Sequence, residues 1–187
     1  MKFCSHCGNK VEHKIPEGDN RPRYVCEPCD FIHYQNPNIV AGTLPVYKDK
    51  VLLCKRAIEP RYGYWTLPAG FMENKETTQE GAVRETWEEA EATVEITQLF
   101  SMINVPQIDQ VHIFFLANLS EPKFASGSES LEVALFSEQE IPWDEIAFPT
   151  VKKTLELFFE DRKKGHFGMH VEDIIRPPRE TIPKEHN

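Results

Sequence analysis

Four of the five cysteines fall within the first 29 residues, as Cys4-x2-Cys7 and, after 18 residues, Cys26-x2-Cys29. Two CxxC knuckles at this separation offer two thiolates each, the donor set of a tetrahedral Cys4 zinc site. The segment around them has little apolar periodicity and turn-prone stretches such as Glu17-Gly18-Asp19-Asn20. It has almost no core of its own, so metal ligation supplies its folding energy. A closed Cys4 site leaves no open coordination position, which makes its expected role structural. Disulfides are the competing use of cysteine. The start Met1-Lys2-Phe3-Cys4 has no apolar export signal, and the chain is expected to be cytoplasmic, where thiols stay reduced. A redox or metal-storage role is a further class, which reversible CxxC oxidation would support. His6, His13 and His33 are read as surface or loop residues rather than ligands. Cys54 stands apart and reads as a small core residue.

A chain of 187 residues accommodates one full domain and a small attachment. Asn36-Pro37-Asn38 is a natural boundary. The expected parts are a zinc-ribbon-like domain over residues 1–35, a larger domain over 36–165 and a tail over 166–187. In the larger domain, Ile39–Tyr47 and Val51–Lys55 read as strands around a Lys48-Asp49-Lys50 turn. Trp65–Gly70 reads as a short strand running into a loop. Val94–Phe100, Ser101–Val105, Val111–Leu119 and Leu131–Phe136 are further strand candidates, and Pro122–Ser128 is an exposed loop. Thr77 to about Glu91 is a helix opened by a Thr77/Glu80 capping box. Thr150 to about Lys164 is a second, stopped by Gly165. The tail, with Pro177, Pro178 and Pro183, is expected to be extended. Mixed strands with two sizeable helices predict an α/β fold, with helices on both sides of a sheet.

Charge narrows the function. The net charge is −9, and residues 1–38 carry five basic and five acidic residues, so the whole excess belongs to the larger domain. Such a chain repels phosphate backbones, which disfavours a nucleic-acid partner. No stretch approaches the ~18 apolar residues of a membrane span.

The acid is concentrated on the first helix. Glu85, Glu88 and Glu89 stand at i, i+3 and i+4, within one arc of roughly 100°. Val83, Thr86, Trp87 and Ala90 occupy the opposite arc and are expected to face the core. Three like charges on adjacent turns repel each other, and a divalent cation turns that cost into attraction. Glutamate clusters alone are more often solvated surface. Here Gly70 and Glu76 precede the cluster, and Arg84 beside it can pair with Glu76 to fix the loop against the helix.

Gly70, Glu76 and Arg84-Glu85-x-x-Glu88-Glu89, approached through Leu67-Pro68-Ala69, resemble the signature box of Nudix hydrolases. Glu91 stands where that box has a helix-ending glycine. A Cys4 ribbon directly before such a domain resembles the NADH, ADP-ribose and FAD pyrophosphatase branch. Tyr34–Pro37, Leu52–Arg56, Trp65–Gly70 and Glu129–Glu132 are similar in particular to plant-type FAD pyrophosphatases. The resemblance implies an α/β/α sandwich with a mixed sheet, preceded by a small Cys4 zinc ribbon.

It also implies hydrolysis of a nucleoside diphosphate linked to another group, dependent on Mg²⁺ or Mn²⁺. The substrate would be a small dinucleotide-type molecule, with FAD or ADP-ribose foremost. Glu85, Glu88, Glu89 and the Ala69 carbonyl would be metal ligands, with Arg84 and Glu76 in support. Glu129 is the first choice for an added ligand or base, and Glu132 the second. Phe71 is placed to stack on an adenine or flavin ring, or else packs in the core. Pro106, with Gln107 beside it, lies where ADP-ribose-cleaving members place a proline. Of the other aromatics near the box, Tyr62 and Tyr64 offer ring surface and Trp65 reads as core. Ser101–Gln107 lacks the motif of the strictly NADH-specific branch. NADH and NAD-capped RNA ends form the enzymatic alternative, and an inactive, ligand-binding Nudix protein the non-enzymatic one. Ribbon-bearing relatives imply a homodimer.

Overall fold

The computed structural model describes residues 1–175. It divides into two compact units, Met1–Pro37 and a larger one beginning at Asn38.

The first unit is a three-stranded antiparallel sheet of β1 (Glu12–Lys14), β2 (Arg23–Cys26) and β3 (Phe31–His33), in that order. Its strands are too short to bury a core, and the thiols take that place. Cys4 and Cys26 are buried and all four sulfurs lie within 4.8 Å of one another. The Cys4–Cys29 and Cys7–Cys26 sulfur separations are 3.8 and 3.4 Å. The edge of a tetrahedron with ~2.3 Å metal–sulfur bonds is about 3.8 Å, so the donor set and its spacing fit zinc. N–H groups of Asn9 bring the Cys7 thiol down to about 6, while burial pushes Cys26 up to about 12. A bound cation offsets that burial cost. His33 departs from the expectation of a surface residue. It is 6% exposed, with Nε2 3.3 Å from Cys4 Sγ. It is placed to hydrogen-bond the sulfur, which the pairing of β3 with β2 makes possible.

The second unit is built on a mixed sheet. Its strands are β4 (Asn38–Tyr47), β5 (Lys50–Arg56), β6 (Trp65–Thr66), β7 (Ala69–Phe71), β8 (Val94–Val105), β9 (Gln110–Leu119), β10 (Ser130–Phe136) and β11 (His170–Asp173). The main order is β10-β5-β4-β9-β8-β11, with β6 on β5 and β7 on β4. Helices α1 (Thr78–Ala90) and α2 (Pro149–Lys164) lie on opposite faces. The period of two along each strand makes this possible. Val51 and Leu53 of β5, with Phe114 of β9, join Val151, Leu155 and Phe158 of α2 in one core. Leu52 and Cys54 face the other way, with Ala90 of α1, and Phe115 packs with Ala82. The α/β/α sandwich is therefore as expected.

Three details differ from the sequence reading. Val94–Val105 is one continuous strand, not two, because two bulges absorb the change of register against β9. The segment after α2, set apart as an extended tail over 166–187, is extended but contributes a strand of the sheet, since β11 pairs in parallel with β8. Pro177, Pro178 and Pro183 lie outside the described residues. The orientation of α1 is the third difference. Of the four residues expected to face the core, Thr86 and Ala90 are buried, but Trp87 is 56% exposed and Val83 is exposed too, and Gly81, Ala82 and Glu89 are buried instead. Small residues let the helix approach the sheet closely, and Thr86 Oγ1 lies 2.7 Å from Thr43 Oγ1 of β4.

The capping box of α1 forms as expected. At its other end Glu91 adopts a left-handed conformation, with φ 47° and ψ 30°. A glycine avoids the Cβ strain of that conformation. Glu91→Gly is expected to stabilise the protein by about 0.5–1 kcal/mol, raising the thermal midpoint by roughly 2–4 °C per kcal/mol at this size. A lowered midpoint would show that the Glu91 side chain makes an offsetting interaction.

Among the described residues, no helix is long and apolar enough to cross a membrane.

Candidate active site

A cleft of about 620 Å³ opens where α1, the β7 strand and the ends of β4, β5, β8 and β9 meet. Its acidic side is made by Glu85, Glu88 and Glu89 of α1, with Glu129 from the loop before β10.

Glu89 lies where the acidic arc of α1 overlaps the arc that packs on the sheet. It is only 5% exposed. Its Oε2 accepts a hydrogen bond from the Ala69 N–H at 3.2 Å. Burial pushes its carboxyl up to about 8, and the nearby Glu85 and Glu129 act in the same direction. Arg56 opposes this only partly. Burial also raises Glu85. These groups are held at the rim of a site where a cation would relieve both desolvation and repulsion.

Gly70 is required by the close approach of the loop to the helix. A Cβ there would meet the Glu85 carboxylate at 2.3 Å. Arg84 secures the same junction. Its Nε and Nη2 donate to the two Glu76 oxygens at 3.0 and 2.9 Å, and Nη2 also donates to the Phe71 carbonyl at 3.2 Å. Nη1 donates to Glu85 at 2.7 Å and Glu88 at 3.0 Å. This network holds Glu76 down to about 2. Arg84 and Glu76 thus join loop to helix, as their spacing predicts.

The four thiols are the only group among the described residues whose ligand atoms converge within 4.8 Å. The α1 carboxylates are more loosely set, which suits Mg²⁺ or Mn²⁺ bound by one or two carboxylates with waters completing the octahedron. The hard oxygen donors and the only partly compensated burial of Glu89 fit such an ion.

The Glu129 loop is pinned to the end of α1. The Ala125 N–H donates to the Ala90 carbonyl at 2.9 Å, and the Gly127 N–H to the Glu89 carbonyl at 3.1 Å. A Cβ on Gly127 would lie 1.7 Å from the Glu88 carbonyl oxygen, so only glycine fits. Glu129 reaches the cleft because of this fit. Glu132 is exposed on β10 and is not part of the lining.

Phe71 lines the cleft and is 56% exposed, which excludes core packing for its ring. Trp65 is buried, whereas Tyr62 and Tyr64 are exposed. Pro106 and Gln107 form a short turn after β8 and do not line the cleft, whereas Val105 and Ile108 beside them do.

Several lining residues escaped the sequence reading as individuals. Arg56 is buried at the end of β5, with Nε donating to the Pro60 carbonyl at 2.9 Å and its guanidinium over the Phe148 ring. It brings a cation to the acidic cleft. Gln110 and His112 share one face of β9, two residues apart. His112 Nε2 lies 2.9 Å from Gln110 Oε1, and its Nδ1 is 3.1 Å from the Thr150 hydroxyl. Polar residues at i and i+2 at the start of a largely apolar strand were the available signal.

Burial lowers His112 to about 4, so it is neutral at pH 7. The unfolded chain takes up a proton near pH 6.5 that the folded state refuses until about pH 4. His112 therefore contributes stability that is fully present above pH 6.5 and lost as pH falls toward 4. Its share of the acid destabilisation is on the order of 3 kcal/mol. His112→Gln is expected to flatten the stability–pH curve over that interval in denaturant titrations. An unchanged slope would assign the loss to other groups.

Comparison with known proteins agrees with this geometry. Residues 2–35 match the Nudix N-terminal family, a zinc ribbon, and residues 37–158 match the NUDIX domain. A crystal structure of a NUDIX hydrolase from Nitrosomonas europaea superposes with a TM-score of 0.91 and 53% identity, over 94% of this chain and 100% of that one. An ADP-ribose pyrophosphatase of Methanocaldococcus jannaschii is 27% identical over 58% of this chain and 67% of its own. The NAD-capped RNA hydrolase NudC of Photorhabdus laumondii is 32% identical over 48% of this chain. The match spans only 33% of that relative's length.

Proposed function

The chain belongs to the NUDIX domain family of pyrophosphohydrolases, and we propose that its substrate is FAD or ADP-ribose. The products would be FMN plus AMP, or ribose 5-phosphate plus AMP. The observation that carries this reading is that one cleft is lined by two chemistries. Carboxylates of α1 and the buried Arg56 line it together with the exposed carbon of Phe71 and Ile108. A diphosphate with its cation suits the charged groups and a ring system the carbon surface.

Mg²⁺ or Mn²⁺ held by Glu85, Glu88, Glu89 and the Ala69 carbonyl would neutralise the diphosphate and lower the pKa of an attacking water. Arg56 places a guanidinium where an anionic oxygen can be bound. Arg84 and Glu76 hold the box loop against α1. Glu129, which lines the cleft, would accept the proton of the water as its oxygen bonds to phosphorus. The P–O bond of the anhydride then breaks, and a phosphomonoester leaves. Phe71 offers its face to a base or flavin ring.

NADH or an NAD-capped RNA end is the alternative, supported by the NudC relative. Against it stand the net charge of −9 and the absence of the NADH-branch motif at Ser101–Gln107.

The test is a substrate panel with Mg²⁺ and then Mn²⁺, covering FAD, ADP-ribose, NADH and NAD⁺, with products separated by chromatography. Release of AMP with FMN or ribose 5-phosphate supports the reading. Preferred cleavage of NADH overturns the substrate assignment, and metal-independent turnover overturns the chemistry.

A further inference from the structure

We propose that residues 165–174, which follow α2, are a built wall of the substrate cleft, and that Ile174 on it is a specificity-determining residue for a substrate ring. This rests on the pyrophosphatase reading above.

The chain leaves α2 at Gly165 and is immediately tied back to it. The buried carboxylate of Asp161 accepts from the Gly168 N–H at 3.0 Å and lies 2.7 Å from His170 Nε2. The His166 N–H donates to the Asp161 carbonyl at 3.2 Å. Phe167 stacks on Phe158 with centroids 5.4 Å apart, and its carbonyl accepts from the Gln98 amide at 3.2 Å. The His170 ring meets Phe100 edge-on at 5.2 Å.

β11 then runs beside β8 in parallel register, from His170 opposite Ser101 to Asp173 opposite Asn104. The Asn104 side-chain amide donates to Asp173 Oδ1 at 2.8 Å. The Ile174 N–H donates to the Asn104 carbonyl at 2.9 Å. The backbone is thus fixed from the end of α2 up to Ile174, which lines the cleft together with Val105 and Ile108. Val171 lies three residues earlier, on the opposite face of the strand, and is exposed.

The chemistry of this wall selects its ligand. Sugar hydroxyls pressed against Ile174, Val105 and Ile108 would lose water without gaining partners. A fused heteroaromatic ring loses little and gains dispersion contact over its face. The wall therefore fits the ring of a nucleotide, adenine or flavin, rather than a sugar.

The experiment compares wild type with Ile174→Ala, Ile174→Trp and, as a control on the other face, Val171→Ala. KM and kcat are measured for each substrate the wild type cleaves, with thermal midpoints alongside. Removing side-chain carbons from a ring pocket is worth tenfold or more in discrimination. Ile174→Ala is expected to raise KM about tenfold, with kcat within roughly threefold and an unchanged midpoint. Loss confined to FAD assigns the wall to flavin, and equal loss on ADP-ribose assigns it to adenine. Ile174→Trp is expected to exclude the same ring, and Val171→Ala to leave both constants unaltered. Should both Ile174 variants keep kcat/KM within twofold of wild type on every substrate, the inference is wrong while the pyrophosphatase reading stands. Failure of the wild type to cleave any substrate removes that reading and this inference with it.

Discussion

Glu89→Gln is expected to reduce metal-dependent turnover by about 10²–10⁴-fold while leaving the protein folded. Glutamine has nearly the same shape and keeps an oxygen to accept the Ala69 N–H, which donates to Glu89 at 3.2 Å. What disappears is the charge. Glu89 is the most buried of the three helix carboxylates, and its environment already resists ionisation without a cation. Removing that charge costs the fold nothing and can stabilise it, so the thermal midpoint without metal should hold or rise. Glu88→Gln is the comparison. Its side chain is more than half exposed and pairs with Arg84 at the rim, so a smaller loss is expected. A steady-state assay and a thermal melt, each with and without Mg²⁺, separate the effects. Activity within threefold of wild type for Glu89→Gln would remove this residue from the metal site. Lost activity with a collapsed midpoint would make its role structural.

The second large effect concerns the thiols. Removing metal from the Cys4 cluster, by a strong chelator or by Cys26→Ser, is expected to unfold the first unit. A structural zinc site in a small module contributes on the order of 10 kcal/mol. The three short strands have nothing comparable to replace it. The second unit has its own core between the sheet and the two helices and should keep its helical circular dichroism. Purified protein should carry one zinc per chain, and chelation should broaden amide signals of residues 2–35 alone. Protein that carries no metal and keeps a sharp spectrum for that region would show that the thiols hold the ribbon unaided.

Much of this was legible in the residues because it depends on local spacing. CxxC places two sulfurs on one knuckle whatever surrounds them. Thr77 and Glu80 close a capping box through bonds within a single turn. The left-handed conformation of Glu91 follows from where the helix must stop. The face of α1 was misread for a related reason. Val83 and Trp87 are the large apolar residues of its arc, yet the helix packs through Ala82 and, from that arc, only the small Thr86 and Ala90. Composition ranks faces by hydrophobicity, whereas close approach to a sheet selects small residues.

Residues brought in from distant strands were not legible. Arg56, Gln110, His112 and Ile174 belong to β5, β9 and the end of β11, and nothing in their local sequence joins them to Glu89. Pro106 and Gln107 were singled out by resemblance, and the residues of that stretch that line the cleft are their neighbours Val105 and Ile108.

The sequence by itself determined the parts whose chemistry is carried by short-range spacing: the zinc-ligand set, the acidic helix with its loop, the two-sided sheet and the family. Tertiary structure alone decided how deeply Glu89 is buried, that Gly127 lets the Glu129 loop reach the cleft, and that the chain after α2 returns to complete its wall. Burial and convergence depend on how separate elements pack, and packing is settled by shape complementarity over the whole core rather than by any one segment.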